Sequence, residues 1–192
     1  MEVLDGRIVL LCDNSPVALL LPSVFQDFMN VTEDRYNRFE IASFERVIRY
    51  AAMIFSFLLS GTYLAVIGFH TMILPTNLIL SFAESRQGVP FPSLLEVLFM
   101  ELAFELIREA GIRMPGALSG TIGIVGGLII GDAAVSANLV SPMVVVIVAL
   151  TALGDFAIPS EELSEGIRLV KYAMLFLCAG LGIMGFFLGL VF

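Results

Sequence analysis

The sequence predicts an all-α integral membrane protein, with a short β-hairpin ahead of about five membrane helices or segments. Hydrophobic residues make up 58% of the 192 residues, charged residues only 15%, and the mean hydropathy is +0.97. A soluble domain of this size needs a larger charged surface than this. Several uncharged runs also approach the ~20 residues that cross a bilayer as a helix.

Residues 1–49 are expected to be the remnant of a cytoplasmic domain followed by an interfacial linker. Two short apolar runs, at 7–11 and 17–21, flank the polar sequence CDNSP, which predicts a β-hairpin with an Asx or proline turn. Two strands do not form a stable domain alone. We therefore expect this hairpin to complete a sheet whose other strands are absent or come from another chain. Residues 23–49 mix phenylalanines with charges, which predicts an interfacial helix and loop.

Residues 50–192 are expected to form the helical transmembrane domain, truncated at its carboxyl end. Long uncharged stretches predict the spans, and Pro75 divides the first stretch into a true span and a shorter interfacial or re-entrant piece. The predicted segments are 50–69, 77–83, 93–110, 114–131, 143–153 and 172–192, with a polar connector at 155–171.

The segment 93–110 is unusually acidic for a membrane helix. Glu101, Glu105 and Arg108 fall on one helical face, and Glu96 points nearly opposite. Each acid at the centre of an isolated membrane helix costs roughly 2.5–3.5 kcal/mol. Two interpretations stay open: an amphipathic surface helix with a Glu105–Arg108 pair, or a buried helix that lines an ion path.

The segment 114–131 is rich in glycine, and five glycines recur there at spacings of three or four. These spacings put them on one stripe of a helix, where another backbone can pack closely or a narrow aqueous path can pass. Asp132 ends the run, and an ionisable group at membrane depth is a candidate functional residue. The five glycines are Gly116, Gly120, Gly123, Gly127 and Gly131.

The distribution of basic residues predicts the orientation. If the segment 93–110 crosses the membrane, Arg86 lies on one side and eight other basic residues lie on the opposite side. Because basic residues are more frequent in cytoplasmic loops, this bias indicates that the N-terminal hairpin is cytoplasmic. The same distribution favours a crossing acidic helix over a surface helix. The residues on the predicted cytoplasmic side are Arg35, Arg38, Arg46, Arg49, Arg108, Arg113, Arg168 and Lys171.

Several classes of function are disfavoured by the composition. A net charge of −8 provides no basic surface for nucleic acid. One histidine and two isolated cysteines, Cys12 and Cys178, predict no metal site, no cofactor and no catalytic centre, so we do not expect an enzyme. The glycine-rich segment also lacks the GxGxxG spacing of a dinucleotide-binding loop.

A set of short motifs resembles the spore germinant-receptor A-subunit family (GerA family). The motifs are Asp5-Gly6-Arg7, Glu33-Asp34-x-Tyr36-x-Arg38-Phe39, Val89-Pro90-Phe91-Pro92, Met100-Glu101, Arg108-Glu109-Ala110-Gly111-Ile112-Arg113 and Gly123-Ile124-Val125-Gly126-Gly127. The resemblance implies a subunit of a nutrient-gated ion channel in the inner membrane of bacterial endospores. Its implied partners are membrane lipid, further copies of the chain, and B and C receptor subunits. The resemblance also implies a larger cytoplasmic domain before the hairpin, so we expect this chain to be a fragment.

The resemblance implies a pore without assigning its lining. We expect the segment 119–137 to line it, with Val125 or Val135 as a hydrophobic gate that closes by dewetting. The acids expected along the ion path are Glu101, Glu105 and Asp132. A secondary transporter of amino acids or ions, with a site at Asp132, is one alternative. A non-conducting scaffold subunit, in which the glycine stripe is only a packing seam, is another.

Overall fold

The computed structural model describes residues 6–11, 13, 18–113 and 118–191, and only the backbone within 118–125. The described part is helical apart from one two-stranded sheet, which confirms the predicted helical class and the N-terminal hairpin. The strands are β1 (Ile8–Leu11) and β2 (Ala18–Leu21). The helices are α1 (Phe25–Met29), α2 (Phe39–Phe69), α3 (Thr76–Ser85), α4 (Ser93–Ile112), α5 (Leu118–Ser136), α6 (Pro142–Phe156), α7 (Glu161–Leu181) and α8 (Ile183–Val191).

The central element is α2, whose 31 residues give a helix about 46 Å long. Among the described residues it is the one helix that is both long and apolar enough to cross a membrane. The helix begins at Phe39, so the predicted interfacial segment before residue 50 and the predicted first span form one continuous helix. Residues 39–49 contain no glycine or proline that would interrupt the helix. The arginines in this segment are either exposed or paired with a carboxylate.

An ion pair ties the N-terminal segment to α2. The Arg49 guanidinium donates to the Asp34 carboxylate at 2.7 Å and to the carbonyl oxygen of Met29 at 2.9 Å. The Asp34 side chain is almost fully buried by this contact. Hydrogen bonds from Arg49 hold the pKa of the Asp34 carboxyl below its ordinary value, although burial acts in the opposite direction. The ionised pair therefore stabilises the folded state.

This ion pair predicts a pH dependence of stability. Because the pKa of Asp34 is lower in the folded than in the unfolded chain, its contribution is present above about pH 4. That contribution is lost as the pH falls through the folded-state value. We expect Asp34→Asn to lower the free energy of unfolding at pH 7, and the difference from the wild type to shrink below about pH 4. Denaturant unfolding in detergent between pH 7 and 3 measures this. Glu33→Gln, in the same turn, is the control, and an equal loss there would contradict the assignment.

Small residues let α2 approach α6 and α7 closely. A Cβ added at Gly154 of α6 would lie 2.5 Å from the carbonyl oxygen of Ala52, and one at Gly61 would lie 3.2 Å from the sulfur of Cys178. The core formed at these contacts is aliphatic and methionine-rich. Its fully buried members include Leu64, Val97, Met100, Val144, Val148, Met174, Leu175 and Cys178.

The C-terminal run differs from its prediction. Residues 172–192 were expected to form one span, but the helix ends before Gly182, which has a φ of +62°, and α8 folds back along α7. The reversal depends on close backbone approach, since a Cβ at Gly185 would lie 2.0 Å from the carbonyl oxygen of Leu177. Most of the predicted polar connector at 155–171 is helical, because residues 161–171 form the first half of α7.

The α7–α8 hairpin depends on the absence of a side chain at Gly185. We expect Gly185→Ala to push α8 away from α7 and to cost about 1–3 kcal/mol of stability, as overpacking does elsewhere. Thermal unfolding followed by circular dichroism in detergent measures the loss. Gly180→Ala is a matched control on α7, because a Cβ there meets no atom within 4 Å. Equal stability of the two variants would show that the tight contact is absent.

Candidate functional site

The only lysine of the chain lies buried at the middle of α7. The Nζ of Lys171 donates to Glu101 Oε2 at 2.8 Å and to Asp155 Oδ2 at 3.1 Å. Each of the three side chains belongs to a residue that is at most 4% exposed. One ammonium group therefore lies between carboxylates from α4 and α6, away from water.

Hydroxyl groups complete the coordination of both carboxylates. Ser60 of α2 donates to Glu101 Oε1 at 2.7 Å, and Ser56, one turn earlier, donates to Asp155 Oδ1. The hydroxyl oxygen of Thr151 lies 3.2 Å from Glu101 Oε1. Charged groups buried in a helical bundle need such additional hydrogen bonds to offset their desolvation. Four helices, α2, α4, α6 and α7, thus meet at one polar network.

Two arginines extend the network towards one end of the bundle. The Arg108 guanidinium lies 3.9 Å from Asp155 Oδ2 and stacks over the ring of Phe156, 4.4 Å from its centroid. Arg168 of α7 donates to Glu105 of α4. Three basic and three acidic side chains balance in charge. We call these six residues and their hydroxyl partners the Lys171 network.

The Lys171 network is tightly packed. The cleft along its edge has a volume of about 10 Å³, which is room for a single water at most. Within the described part of the chain, no group of three or more histidine, cysteine, aspartate or glutamate side chains has the arrangement of a metal site. The network therefore joins the helices by direct contacts, and the cleft at its edge is too small for a hydrated ion.

A second polar cluster lies at the opposite end of α6. Glu96 is buried, and its carboxylate accepts from Arg86 Nη2 at 3.0 Å and from the backbone N–H of Ser141 at 2.9 Å. A carboxylate at this position also interacts favourably with the N-terminal dipole of α6. The hydroxyls of Tyr63 and Ser141 are also buried here. This cluster fixes the start of α6 against α4.

The model of the Bacillus/Clostridium GerA spore germination protein family matches residues 1–192. The chain belongs to this family. Spore germination protein KA of Bacillus subtilis is 40% identical over 190 residues, which cover 99% of this chain and 35% of that protein. Spore germination protein GerLA of Bacillus cereus is 41% identical over 186 residues, 97% of this chain and 38% of that protein. The membrane protein YfkQ of Bacillus subtilis is 40% identical over 190 residues, 99% of this chain and 37% of that protein.

The GerA-family chain thus spans little more than a third of the length of these relatives. No solved structure matches it.

The acids that the sequence singled out have different environments in this GerA-family chain. Glu101 and Glu105 lie on one face of α4, as the helical spacing predicts, and both belong to the Lys171 network. The ion pair between Glu105 and Arg108 that the sequence suggested does not form. Glu105 pairs instead with Arg168 on α7. Asp132 is exposed on α5 and makes no hydrogen bond or ion pair with the network residues that the structure describes.

Part of the glycine stripe packs inside the chain. A Cβ at Gly127 would lie 3.4 Å from Phe104 of α4, and one at Gly131 would lie 3.3 Å from Val145 of α6. Val135 is half-buried against the same core. Whether this helix also lines a pore in an assembly stays a prediction. Gly116 and the side-chain environments of Gly120, Gly123 and Val125 lie outside the described residues.

Sequence reasoning missed most of the Lys171 network. The missed residues are Ser56, Ser60, Thr151, Asp155, Arg168 and Lys171. One signal was present, because Asp155 and Lys171 each border an uncharged run of about 20 residues. Charges at such borders are candidates for pairing inside the bundle.

The Lys171 network predicts a large effect of removing its central cation. Lys171→Met leaves Glu101 buried without a cation, while Asp155 keeps Arg108, so we expect a loss of about 3–5 kcal/mol. Adding Glu101→Gln to the same chain should recover part of this loss, because the unpaired charge is then gone. Denaturant unfolding of the two single variants and the double variant measures the coupling.

The control for this cycle is Arg113→Met. Arg113 and Glu109 form an exposed pair on α4, with side chains 77% and 54% exposed, so its loss should cost less than about 1 kcal/mol. A Lys171→Met variant as stable as Arg113→Met would show that the buried ion pairs do not form.

Proposed function

We propose that this chain is the membrane part of a spore germination receptor subunit, and a component of a nutrient-gated ion channel in the inner spore membrane. Its membership in the GerA family and the names of its relatives support a role in germination. The length of α2 and the relative named as a membrane protein support membrane insertion. The observation that carries the proposal is the match of the GerA family model to the whole chain. The buried Lys171 network, which joins four helices, supports the part proposed for it in gating.

The proposed orientation follows from the arginines outside the bundle interior, because Arg108, Arg168 and Lys171 are paired with carboxylates inside it. Residues 1–49 lie on the cytoplasmic side and belong to a larger cytoplasmic domain in the full-length protein, and Arg86 lies on the outer side. The helices from residue 50 onwards form the membrane domain. Arg7, Arg49 and their carboxylate partners then lie at the inner boundary of the membrane.

The ion path is proposed to run between copies of the chain. The interior of one copy is filled by the aliphatic core and by the Lys171 network, whose cleft holds no more than a water. By contrast, α5 packs mainly on α4, and its other side is uncovered over residues 126–136, where the structure describes the side chains. A ring of identical subunits places that uncovered side of α5 around a common axis.

The uncovered side of α5 has suitable chemistry for a cation pore. Leu128, Asp132 and Ser136 are exposed at a spacing of four, and Leu128 is 72% exposed. A ring of Asp132 carboxylates favours cations, and a ring of leucines one turn away closes the pore by dewetting. The sequence suggested Val125 or Val135 as the gate. Val135 is half-buried in one copy and the side chain of Val125 lies outside the described residues, so we place the constriction at Leu128.

Gating is proposed to use the Lys171 network as a coupling element. Nutrient binding by the assembled receptor shifts the equilibrium between two packings of α7 against α4 and α6. Because α5 packs on α4, a movement of α4 at Glu101 and Glu105 also moves α5, the proposed pore helix. The scaffold function is the second candidate, since Gly127 and Gly131 already pack within the chain.

We expect Asp132→Asn in the full-length subunit, co-expressed with its receptor partners, to lower the cation-to-anion permeability ratio while nutrient gating persists. Leu128→Ala should leak ions without nutrient, since a smaller ring dewets less readily. Conductance of the reconstituted receptor and cation release from spores measure these effects.

Glu161→Gln and Leu169→Ala are the matched controls, because both residues are exposed on α7. If the α5 variants conduct as their controls do, the pore lies elsewhere. If none of the four substitutions alters the ion current and the receptor still assembles, the results favour the scaffold function.

A further inference from the structure

Helix α8 covers only part of the length of α7. The 21 residues of α7 give a helix about 31 Å long, and the nine residues of α8 give one about 13 Å long. A Cβ added at Gly185 would meet the carbonyl group of Leu177, and one added at Gly189 would lie 3.1 Å from Cγ of Met174. The two helices are therefore antiparallel, and the first half of α7 extends beyond the end of α8.

An apolar groove continues the path of α8 between the same two helices. It has a volume of about 510 Å³ and lies between α2 and α7, with Leu190 of α8 at one end. Met53 and Phe57 of α2 line one wall, and Ile167 and Val170 of α7 line the other. Because α8 itself packs on both α2 and α7, the groove extends an interface that the chain already forms.

The groove is open enough for another backbone to approach α7. A Cβ added at Gly166, in the middle of the α7 wall, would meet no atom within 4 Å. The apolar side chains beside it are uncovered, since Ile54 is 50% exposed and Val170 is 40% exposed. A small residue between uncovered apolar side chains is typical of a surface on which a second helix packs.

The direction of α8 indicates which segment can occupy the groove. Leu190, the next-to-last residue of α8, lines the end of the groove, so a continuation of this helix enters it without a loop. Any other helix or acyl chain would have to begin against the end of α8. The chain spans little more than a third of the length of its relatives, so a subunit of their length has residues beyond it.

We propose that the groove holds a continuation of α8, formed by residues that follow position 192 in the full-length subunit. The continuation is an apolar helix of about two turns that runs antiparallel to α7. When the register of Gly185 and Gly189 on α7 is extended, the residue about four or five positions after 192 faces Gly166. The inference rests on the proposal that the chain is part of a longer subunit, and it does not depend on ion conduction.

The continuation joins the carboxyl end of the membrane part to the N-terminal segment. Phe25 of α1 lines the groove and contacts the ring of Tyr50 on α2, at a centroid distance of 6.4 Å. A helix that fills the groove therefore contacts α1, α2 and α7 together. It brings the chain back to the side of the membrane on which residues 1–49 are proposed to lie.

The first test compares Gly166→Leu in the 192-residue chain and in the full-length subunit, both in detergent. In the 192-residue chain the leucine meets open space, so the midpoint of thermal unfolding should not fall. In the full-length subunit it collides with the continuation and should lower the midpoint by several degrees. Gly180→Leu is the matched control, because position 180 is also open and lies outside the groove. An equal effect of Gly166→Leu on the two chains would overturn the proposal.

Cysteine cross-linking in the full-length subunit tests the register. The chain carries Cys12→Ser, Cys178→Ala and Gly166→Cys, with one further cysteine placed in turn at each of about eight positions after 192. A disulfide requires Cα atoms about 4.4–6.8 Å apart, so the yield should peak four or five positions after 192 and fall roughly tenfold two positions away. Leu169→Cys replaces Gly166→Cys in the control, because Leu169 is 76% exposed on another side of α7.

Three outcomes would overturn the continuation of α8. The first is an equal yield at all positions, or the same peak with Leu169→Cys. The second is a stop codon directly after position 192 in the gene, which would leave the proposed channel function untouched. The third is a full-length subunit that does not cross-link and that loses a bound phospholipid on Gly166→Leu, by native mass spectrometry. An acyl chain would then be the occupant.

Discussion

One buried ammonium group determines how this helical bundle is arranged. A lysine side chain inside a bundle is stable only if carboxylates lie within hydrogen-bond distance of it, because the desolvation of an isolated charge costs several kcal/mol. Here α4 and α6 each supply a carboxylate to Lys171, and α2 supplies the hydroxyls that complete both. A rotation or a one-residue slip of any of these helices would leave a charge without its partner. The Lys171 network therefore specifies the register of four helices at once, and the close contacts at Gly61 and Gly154 favour the same register.

Local sequence patterns predicted many of the secondary-structure elements, but they did not predict which side chains pair between those elements. The alternation of short apolar runs predicted the hairpin, and helical spacing predicted that Glu101 and Glu105 share a face. Lys171, whose ammonium group lies between the carboxylates of Glu101 and Asp155, comes 70 residues after Glu101 in the sequence. No local periodicity connects residues so distant. The first turns of α7 carry Glu161, Glu162 and Glu165, so the charge pattern resembles a solvated connector. In the folded chain those acids lie on the exposed side of a helix whose other side carries Lys171.

The glycine-rich segment shows how one helix can use its two sides differently. The backbone of α5 packs closely against α4 at Gly127 and against α6 at Gly131. These small residues therefore allow close helix packing within the chain. Another side carries Asp132, which the sequence singled out as an ionisable residue, and Leu128, which no sequence pattern indicated. Hydrophobicity alone does not distinguish the sides, because α5 is apolar nearly all round. The neighbouring helices decide which side is covered.

The reversal at Gly182 shortens the reach of the last uncharged run. Hydropathy alone predicts that residues 172–192 form one continuous helix of ~30 Å, but α8 has only nine residues and returns along α7. Three glycines allow this return, because Gly182 adopts a positive φ and Gly185 and Gly189 let α8 approach α7 closely. A hydropathy count therefore overstates how far the end of this run extends along the axis of α7.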